Sequence, residues 1–169
     1  MITIKVDVRG IEAKLDKAKK GISETMVSEL NRWAVLTVND AKQMAPVDEG
    51  FLRNSISPVL AAPGNLKAFV VVSANYAAYI EFGTRSFAAA YVSSLPADWQ
   101  QYAATFRGST GGTYQDFIIR LMGWMKRKGI DEDAAYVIAK KILRTGIRPH
   151  PFLFPAVQKN TIELKNRLK

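Results

Sequence analysis

Ala45-Pro46-Val47-Asp48-Glu49-Gly50-Phe51-Leu52-Arg53-Asn54-Ser55-Ile56 is the stretch that decides how the chain folds on either side of it. Pro46 lacks an amide hydrogen and disfavours the helical region for Ala45, so a helix arriving from upstream stops here. Asp48 can accept from the amides of Gly50 or Phe51, and Gly50 gives the backbone freedom to reverse. Leu52, Asn54 and Ile56 then begin an extended segment. The local chemistry predicts helix, stop, turn and strand, in that order.

Upstream, Val27, Leu30, Ala34, Val38 and Ala41 recur at helical spacing, widened by Trp33 and Met44. Ser23 is the expected N-cap of this long helix, with Glu24 at its positive end. Before it, Ile11, Leu15, Ala18 and Ile22 predict a short amphipathic helix that breaks near Gly21. Ile2, Ile4, Val6 and Val8 alternate with Thr3, Lys5, Asp7 and Arg9, the pattern of a half-buried strand.

Downstream, a strand is expected over 52–60, pushed to an edge by Pro58, and then a turn at Ala62-Pro63-Gly64-Asn65. The β-branched run Phe69-Val70-Val71-Val72, within 66–74, suits a central strand. Tyr76, Ala78, Ile80 and Phe82 alternate with Ala77, Tyr79 and Glu81 as a further strand, stopped by Gly83. Arg53 and Glu81, read as charges on two strands of one sheet, are expected to pair. Residues 96–106 look weakly helical and 107–112 read as a flexible linker. Thr113 caps a helix bearing Phe117, Leu121 and Trp124, with Met122 and Met125 beside them, and Gly129 ends it. Asp131 caps another helix with Ala135, Ile138, Ala139 and Ile142 inward, closed by Gly146. Arg148-Pro149-His150-Pro151 must be extended, and Pro155 fits the first turn of a terminal helix. The inner stripe of that helix is Val157, Thr161, Leu164 and Leu168. The expected fold class is α+β: a mostly antiparallel sheet packed by a long helix and a C-terminal helix, with an inserted helical hairpin. Residues 1–84 and 148–169 make the core and 85–147 the insertion.

A chain of 169 residues can bury a core of its own. The absence of cysteine excludes a disulfide framework, a thiolate nucleophile and Cys-based zinc sites. No stretch approaches the ~18 consecutive apolar residues of a membrane span, and the start lacks the apolar run of a signal peptide, so a cytoplasmic protein is expected. The net charge of +9 is unevenly placed. Residues 1–50 hold eight basic and eight acidic side chains, whereas 134–169 set Lys140, Lys141, Arg144, Arg148, Lys159, Lys165, Arg167 and Lys169 against Glu163 alone. Such a patch suits a polyanion or an acidic protein face, or it is a solvated helix surface.

Chemistry has little to work with. His150, the single histidine, stands between two prolines, where a packing or interface role outweighs acid–base catalysis. Asp48 with Glu49, and Asp131 with Glu132 and Asp133, fall where turn and cap chemistry already account for them. No catalytic residue, metal ligand or cofactor is expected, and the chain is read as a non-enzyme. The 114–146 helical pair could instead be a helix-turn-helix, which makes a non-catalytic DNA-binding domain the alternative. Its recognition helix would open with three carboxylates, which phosphates repel.

Three blocks carry a resemblance: Ala45-Pro46-Val47-Asp48-x-Gly50-x-Leu52-Arg53-x-Ser55-Ile56, Tyr76-Ala77-Ala78-Tyr79-Ile80-Glu81-Phe82-Gly83-Thr84, and Pro151-Phe152-Leu153-Phe154-Pro155-Ala156. In this order the chain resembles the tail-completion, or head–tail joining (neck), proteins of long-tailed bacteriophages and prophages. The resemblance implies a structural virion protein of the neck, assembled in the host bacterial cytoplasm. It implies a homo-oligomeric ring, hexamer or dodecamer, seated between the head connector or stopper and the tail-tube proteins. Double-stranded DNA would pass through without sequence readout, and no membrane is involved. The motif positions that would shape the fold are Pro46, Asp48, Gly50, Leu52, Arg53, Tyr76, Glu81, Phe82, Gly83, Thr84, Pro151, Phe152 and Pro155. Phe117, Trp124 and Met125, with Lys140, Lys141, Arg144, Lys159, Lys165 and Arg167, are the candidate interface, the cations facing acidic surfaces on neighbouring subunits.

Overall fold

A computed structural model describes residues 9–106 and 114–169. The strand expected over 2–8, the linker 107–112 and the cap Thr113 lie outside them. The fold is α+β, and the described residues divide into two compact units, 9–73 with 152–169, and 74–151. The expected boundaries at 84 and 148 fall inside the second of these.

The first unit is built on α1 (Arg9–Met44), one uninterrupted helix of 36 residues. The break expected near Gly21 does not occur. Gly21 costs about 1 kcal/mol relative to alanine in a helix, but a second helix starting at Ser23 would need a new nucleus. The apolar series Ile22, Met26, Leu30, Ala34, Val38, Ala41 and Ala45 also continues through in one phase. Ala34, Val38 and Ala41 are buried, and so is Thr37, whose hydroxyl donates to the Trp33 carbonyl at 2.7 Å. The helix ends at Met44, as the missing donor of Pro46 requires.

A single turn, α2 (Phe51–Asn54), stands where a strand was expected. Gly50 enters it at φ 81°, and the turn buries Leu52 and Ile56 while leaving Asn54 outside. A strand from Leu52 would have put Asn54 on the buried side between them. β1 (Ile56–Val59) and β2 (Phe69–Val72) then pair antiparallel, Ile56 opposite Val72 and Val59 opposite Phe69. Among the described residues the valine run therefore lies in a two-stranded ribbon, not at the centre of a wider sheet. Between the strands, Ala62 and Asn65 exchange backbone hydrogen bonds of 3.1 and 2.9 Å, closing the expected turn. The Asn31 amide anchors the ribbon to α1: it donates to the Ala61 carbonyl at 3.1 Å and accepts from the Ala61 amide at 2.7 Å.

The C-terminal helix α8 (Leu153–Arg167) packs along α1 in the same unit. Its buried positions are Phe152, Ala156 and Asn160. The expected stripe is one position off: Val157, Thr161 and Leu164 are half-buried and Leu168 is exposed. Small side chains at Ala34, Ala41 and Ala156 let the helix surfaces approach.

The second unit is helical: α3 (Ala77–Phe82), α4 (Arg85–Val92), α5 (Ala97–Ala104), α6 (Tyr114–Arg127), a 3-10 turn (Glu132–Ala134) and α7 (Ala135–Thr145). The strand expected over 76–82 is α3. Ala77, Glu81 and Phe82 are its buried positions, a helical spacing, and Gly83 at φ 72° ends it. With Arg53 on α2 and Glu81 on α3, the two charges do not share a sheet, and the premise of their pairing falls. α6 and α7 form the expected hairpin over a core of Ile118, Leu121, Met125, Ala135 and Ala139. The Asp131 carboxylate accepts from the Asp133 amide at 3.0 Å and so caps the start of the second arm.

Two glycines hold this unit's ends. Thr84 donates from its amide to the Ile147 carbonyl at 3.0 Å, and the Ile147 amide donates to the Thr84 hydroxyl at 2.8 Å. His150 donates from its amide to the Ile80 carbonyl at 2.7 Å. A Cβ on Gly83 would sit 2.7 Å from the Ile147 carbonyl oxygen, and one on Gly146 (φ 92°) would collide with the Thr84 carbonyl. Both strain and space therefore demand glycine at 146. Gly146→Ala should cost about 2–4 kcal/mol and lower the thermal midpoint accordingly. Gly129→Ala, also at positive φ (66°) but with open space around it, should cost only about 1 kcal/mol. Equal losses would mean that the close approach at Thr84 contributes nothing.

Candidate assembly surface

The cations of the C-terminal third divide between the two units. In the first unit, Lys159 on α8 reaches Asp40 on α1 at 3.0 Å, and Asn160 donates to the same carboxylate oxygen at 2.7 Å. Arg167 meets Glu29 with two bonds, Nε to Oε2 at 2.6 Å and Nη2 to Oε1 at 2.8 Å. Trp33 Nε1 donates to the Thr161 hydroxyl at 3.2 Å between them. Lys159 and Arg167 are thus paired with acids of their own chain along the α1–α8 seam, with their side chains still about half exposed. Sequence reasoning counted charge by segment and missed that Glu29 and Asp40 occur eleven residues apart, three turns along one helix face. Lys165 stays exposed.

The seam perturbs its acids. Arg167's hydrogen bonds hold the Glu29 carboxyl below the usual range, and the same contact raises Arg167. For Asp40, burial pushes the carboxyl up, but the hydrogen bonds from Asn160 and Lys159 together outweigh it and leave it lowered.

In the second unit Arg148, its guanidinium 5.4 Å from the centre of the Phe87 ring, follows α7, and Lys140, Lys141 and Arg144 lie on α7 itself. Lys140, Lys141 and Arg144 are exposed on its outer side with Tyr136 and Val137, which are 65% and 72% exposed. Among the described residues no ion pair joins these three cations to an acid. The opposite side of α7 faces the hairpin core. Of the aromatic candidates, Trp124 is exposed, Phe117 packs partly against the core, and Met125 is fully buried. Met125 is therefore a core residue and not an interface one. It lies one turn beyond Leu121 and is covered by Ala135 and Ala139.

The motif residues shape the scaffold. Leu52, Glu81, Phe82, Gly83 and Phe152 are buried, Gly83 and Thr84 make the clamp to 146–150, and Pro155 lies in the first turn of α8. Pro46 and Pro151 are half-buried, whereas Asp48, Arg53 and Tyr76 are exposed. Phe82 is surrounded by Trp99, Tyr102 and Phe106 at ring distances of 6.3, 6.1 and 6.1 Å, an aromatic cluster that α5 and the residues just after it supply and that no motif announced. Burial, with the nearby Glu81 charge, pushes the Tyr91 hydroxyl up to about 12 and raises Tyr102 in the same direction.

The seam makes stability depend on pH in a defined direction. Asp40's carboxyl is lowered in the folded chain, so its contribution is present above its unfolded value of about 4 and is lost as pH falls through the folded one. Asp40→Asn should cost about 1 kcal/mol at pH 7 in denaturant unfolding, with the gap to wild type closing below about pH 4. A gap constant from pH 7 to pH 2 would mean that the carboxylate charge is idle.

Among the described residues no group of three or more His, Cys, Asp or Glu side chains is placed to hold a metal ion, and no helix is long and apolar enough to cross a membrane. No curated protein and no solved structure matches the chain. Residues 9–83, which hold the first sequence block and all but the last residue of the second, match the family described as "Bacteriophage HK97-gp10, putative tail-component".

Proposed function

We propose that this chain is a structural protein of the phage neck, joining the head connector to the tail as a homo-oligomeric ring around the DNA channel. Three things support the reading: the family match over 9–83, the third sequence block at 151–156, and the outer face of α7. The α7 face carries it. Tyr136 and Val137 offer apolar area, and Lys140, Lys141 and Arg144 offer charge with no acid of their own chain engaged. A face of that mixed kind suits a protein partner with acidic groups around an apolar centre. A channel wall has the opposite need, because tight phosphate contacts would hold back a duplex that has to slide.

The work done is geometric. Copies pair around a closed ring, one rim seats on the head and the other on the tail, and no bond is made or broken. Reading DNA with the α6–α7 pair is the less favoured role. Asp131, Glu132 and Asp133 are all exposed at the start of the second arm, where a recognition helix would meet phosphates.

Reversing Lys140, Lys141 and Arg144 to glutamate should leave the circular dichroism spectrum unchanged, and the phage should accumulate DNA-filled heads and finished tails that do not join. The free protein should bind duplex DNA weakly, without sequence preference and with steep loss as salt rises. Normal virions from the triple reversal would return this face to a solvated surface, and tight sequence-selective binding at physiological salt would replace the neck reading with DNA recognition.

A further inference from the structure

The two edges of the β1–β2 ribbon are not equivalent. Ser73 donates from its amide to the Ser55 carbonyl at 3.1 Å, and the register then turns the backbone groups of Ser57 and Val59 inward and those of Ile56 and Pro58 outward. Pro58 therefore places its missing donor on the outer edge of β1 and blunts it. On β2 the outward groups belong to Val70 and Val72. Among the described residues no third strand pairs with them, and β2 contains no proline and no charge. The ribbon's outer face is open as well, with Val59, Phe69 and Val71 at 45%, 53% and 40% exposure. An apolar, unprotected edge of this kind is a template for another strand.

The chain carries a segment with the right pattern, Ile2, Ile4, Val6 and Val8 alternating with polar residues ahead of Arg9. Within one chain it cannot reach this edge. The ribbon is pinned to α1 at Asn31 through Ala61. From Arg9 to Asn31 is about 33 Å of continuous helix at 1.5 Å per residue. Eight residues span at most about 29 Å fully extended, before any of them is used for pairing. Along α1 the first buried side chain among those described is Ala34, and Ile22 is 65% exposed.

We propose that residues 2–8 add as a strand to the β2 edge of a second copy of this chain, with the N-terminal half of α1 as the arm that carries them there. Donor and acceptor surfaces differ, so each copy can give its strand to one neighbour and take one from another, and copies linked in this way close into a ring when the rotation permits. This deepens the ring reading and rests on it for its setting, but the reach argument stands on the helix alone.

The chain has no cysteine, so single ones can be introduced without side reactions. Full-length Ile4→Cys and differently tagged full-length Phe69→Cys, mixed at assembling concentration with a short bismaleimide, should cross-link to each other. Val70→Pro in the acceptor should abolish the cross-link, because it removes an outward donor and leaves the ribbon's inward bonds alone. A chain lacking 2–8 should keep its circular dichroism spectrum and associate at least about tenfold more weakly by sedimentation. Cross-linking inside one Ile4→Cys, Phe69→Cys chain at high dilution would overturn the proposal. So would a truncated chain that assembles as well as the full one, and that result would leave the ring itself standing. A full-length chain that stays monomeric even beside head and tail would remove both.

Discussion

A 36-residue helix persists in water only where something covers its apolar side, and in the first unit that cover lies on the C-terminal half of α1. The ribbon comes back to α1 at Asn31, where one side-chain amide satisfies both backbone groups of Ala61. That contact substitutes for a missing strand partner just past β1, and it costs no charge burial. α8 supplies the rest by burying Phe152 and Ala156, each side chain adding to an area term of roughly 25 cal/mol per Å². Asn160, buried beside them, donates to both the Ala156 carbonyl and the Asp40 carboxylate, so this buried polar side chain has its donors used. Within the unit the ribbon and the terminal helix both pack on α1, which makes the three mutually dependent.

The second unit solves a different problem, how to close a long excursion of chain. Gly83 and Gly146 let backbone meet backbone where any side chain would intrude, and Thr84 uses both its amide and its hydroxyl on Ile147. Arg85 then begins α4 at φ 54°, an unfavourable conformation for a residue with a side chain, which the bonds on its N-terminal side hold in place. The sequence block ending Glu81-Phe82-Gly83-Thr84 is thus a closure device. Phe82 brings the apolar area, buried against the α5 aromatics, and the two residues after it bring the geometry.

Much of this was legible from sequence where a residue's own chemistry decides the backbone. Pro46 ended α1, Asp131 capped, Gly146 closed α7, and Pro155 fell in a first helical turn. The errors share one cause: short apolar runs fit two periods at once. The series 52, 54, 56 and the series 76, 78, 80, 82 alternate, yet burying every second residue would have sunk Asn54 in one case, and in the other the buried set 77, 81 and 82 is helical. At Gly21 the local signal was a stop and the long-range signal was a stripe in constant phase; phase prevailed because no proline broke the hydrogen-bond ladder. The candidate surface was half legible. Exposed cations could be counted, but not which of them had acids across a helix seam.

That division of charge changes what the basic C-terminal third can be. Lys159 and Arg167 answer Asp40 and Glu29, so the excess that counted as a single polyanion-seeking patch is partly an internal neutralisation of α1. The cations of the seam pairs are about half exposed, and such pairs set orientation more than they add stability. They fix the register of α8 on α1, since sliding by one turn would separate both pairs at once. On α7 the charge is smaller and better defined: Lys140, Lys141 and Arg144 lie on consecutive turns of its outer face, one turn beyond Tyr136 and Val137. A field spread over a whole third of the chain would favour any polyanion. A cluster of this size with apolar area beside it favours one shaped acidic surface, because desolvating a cation is repaid only where its counter-charge is in place.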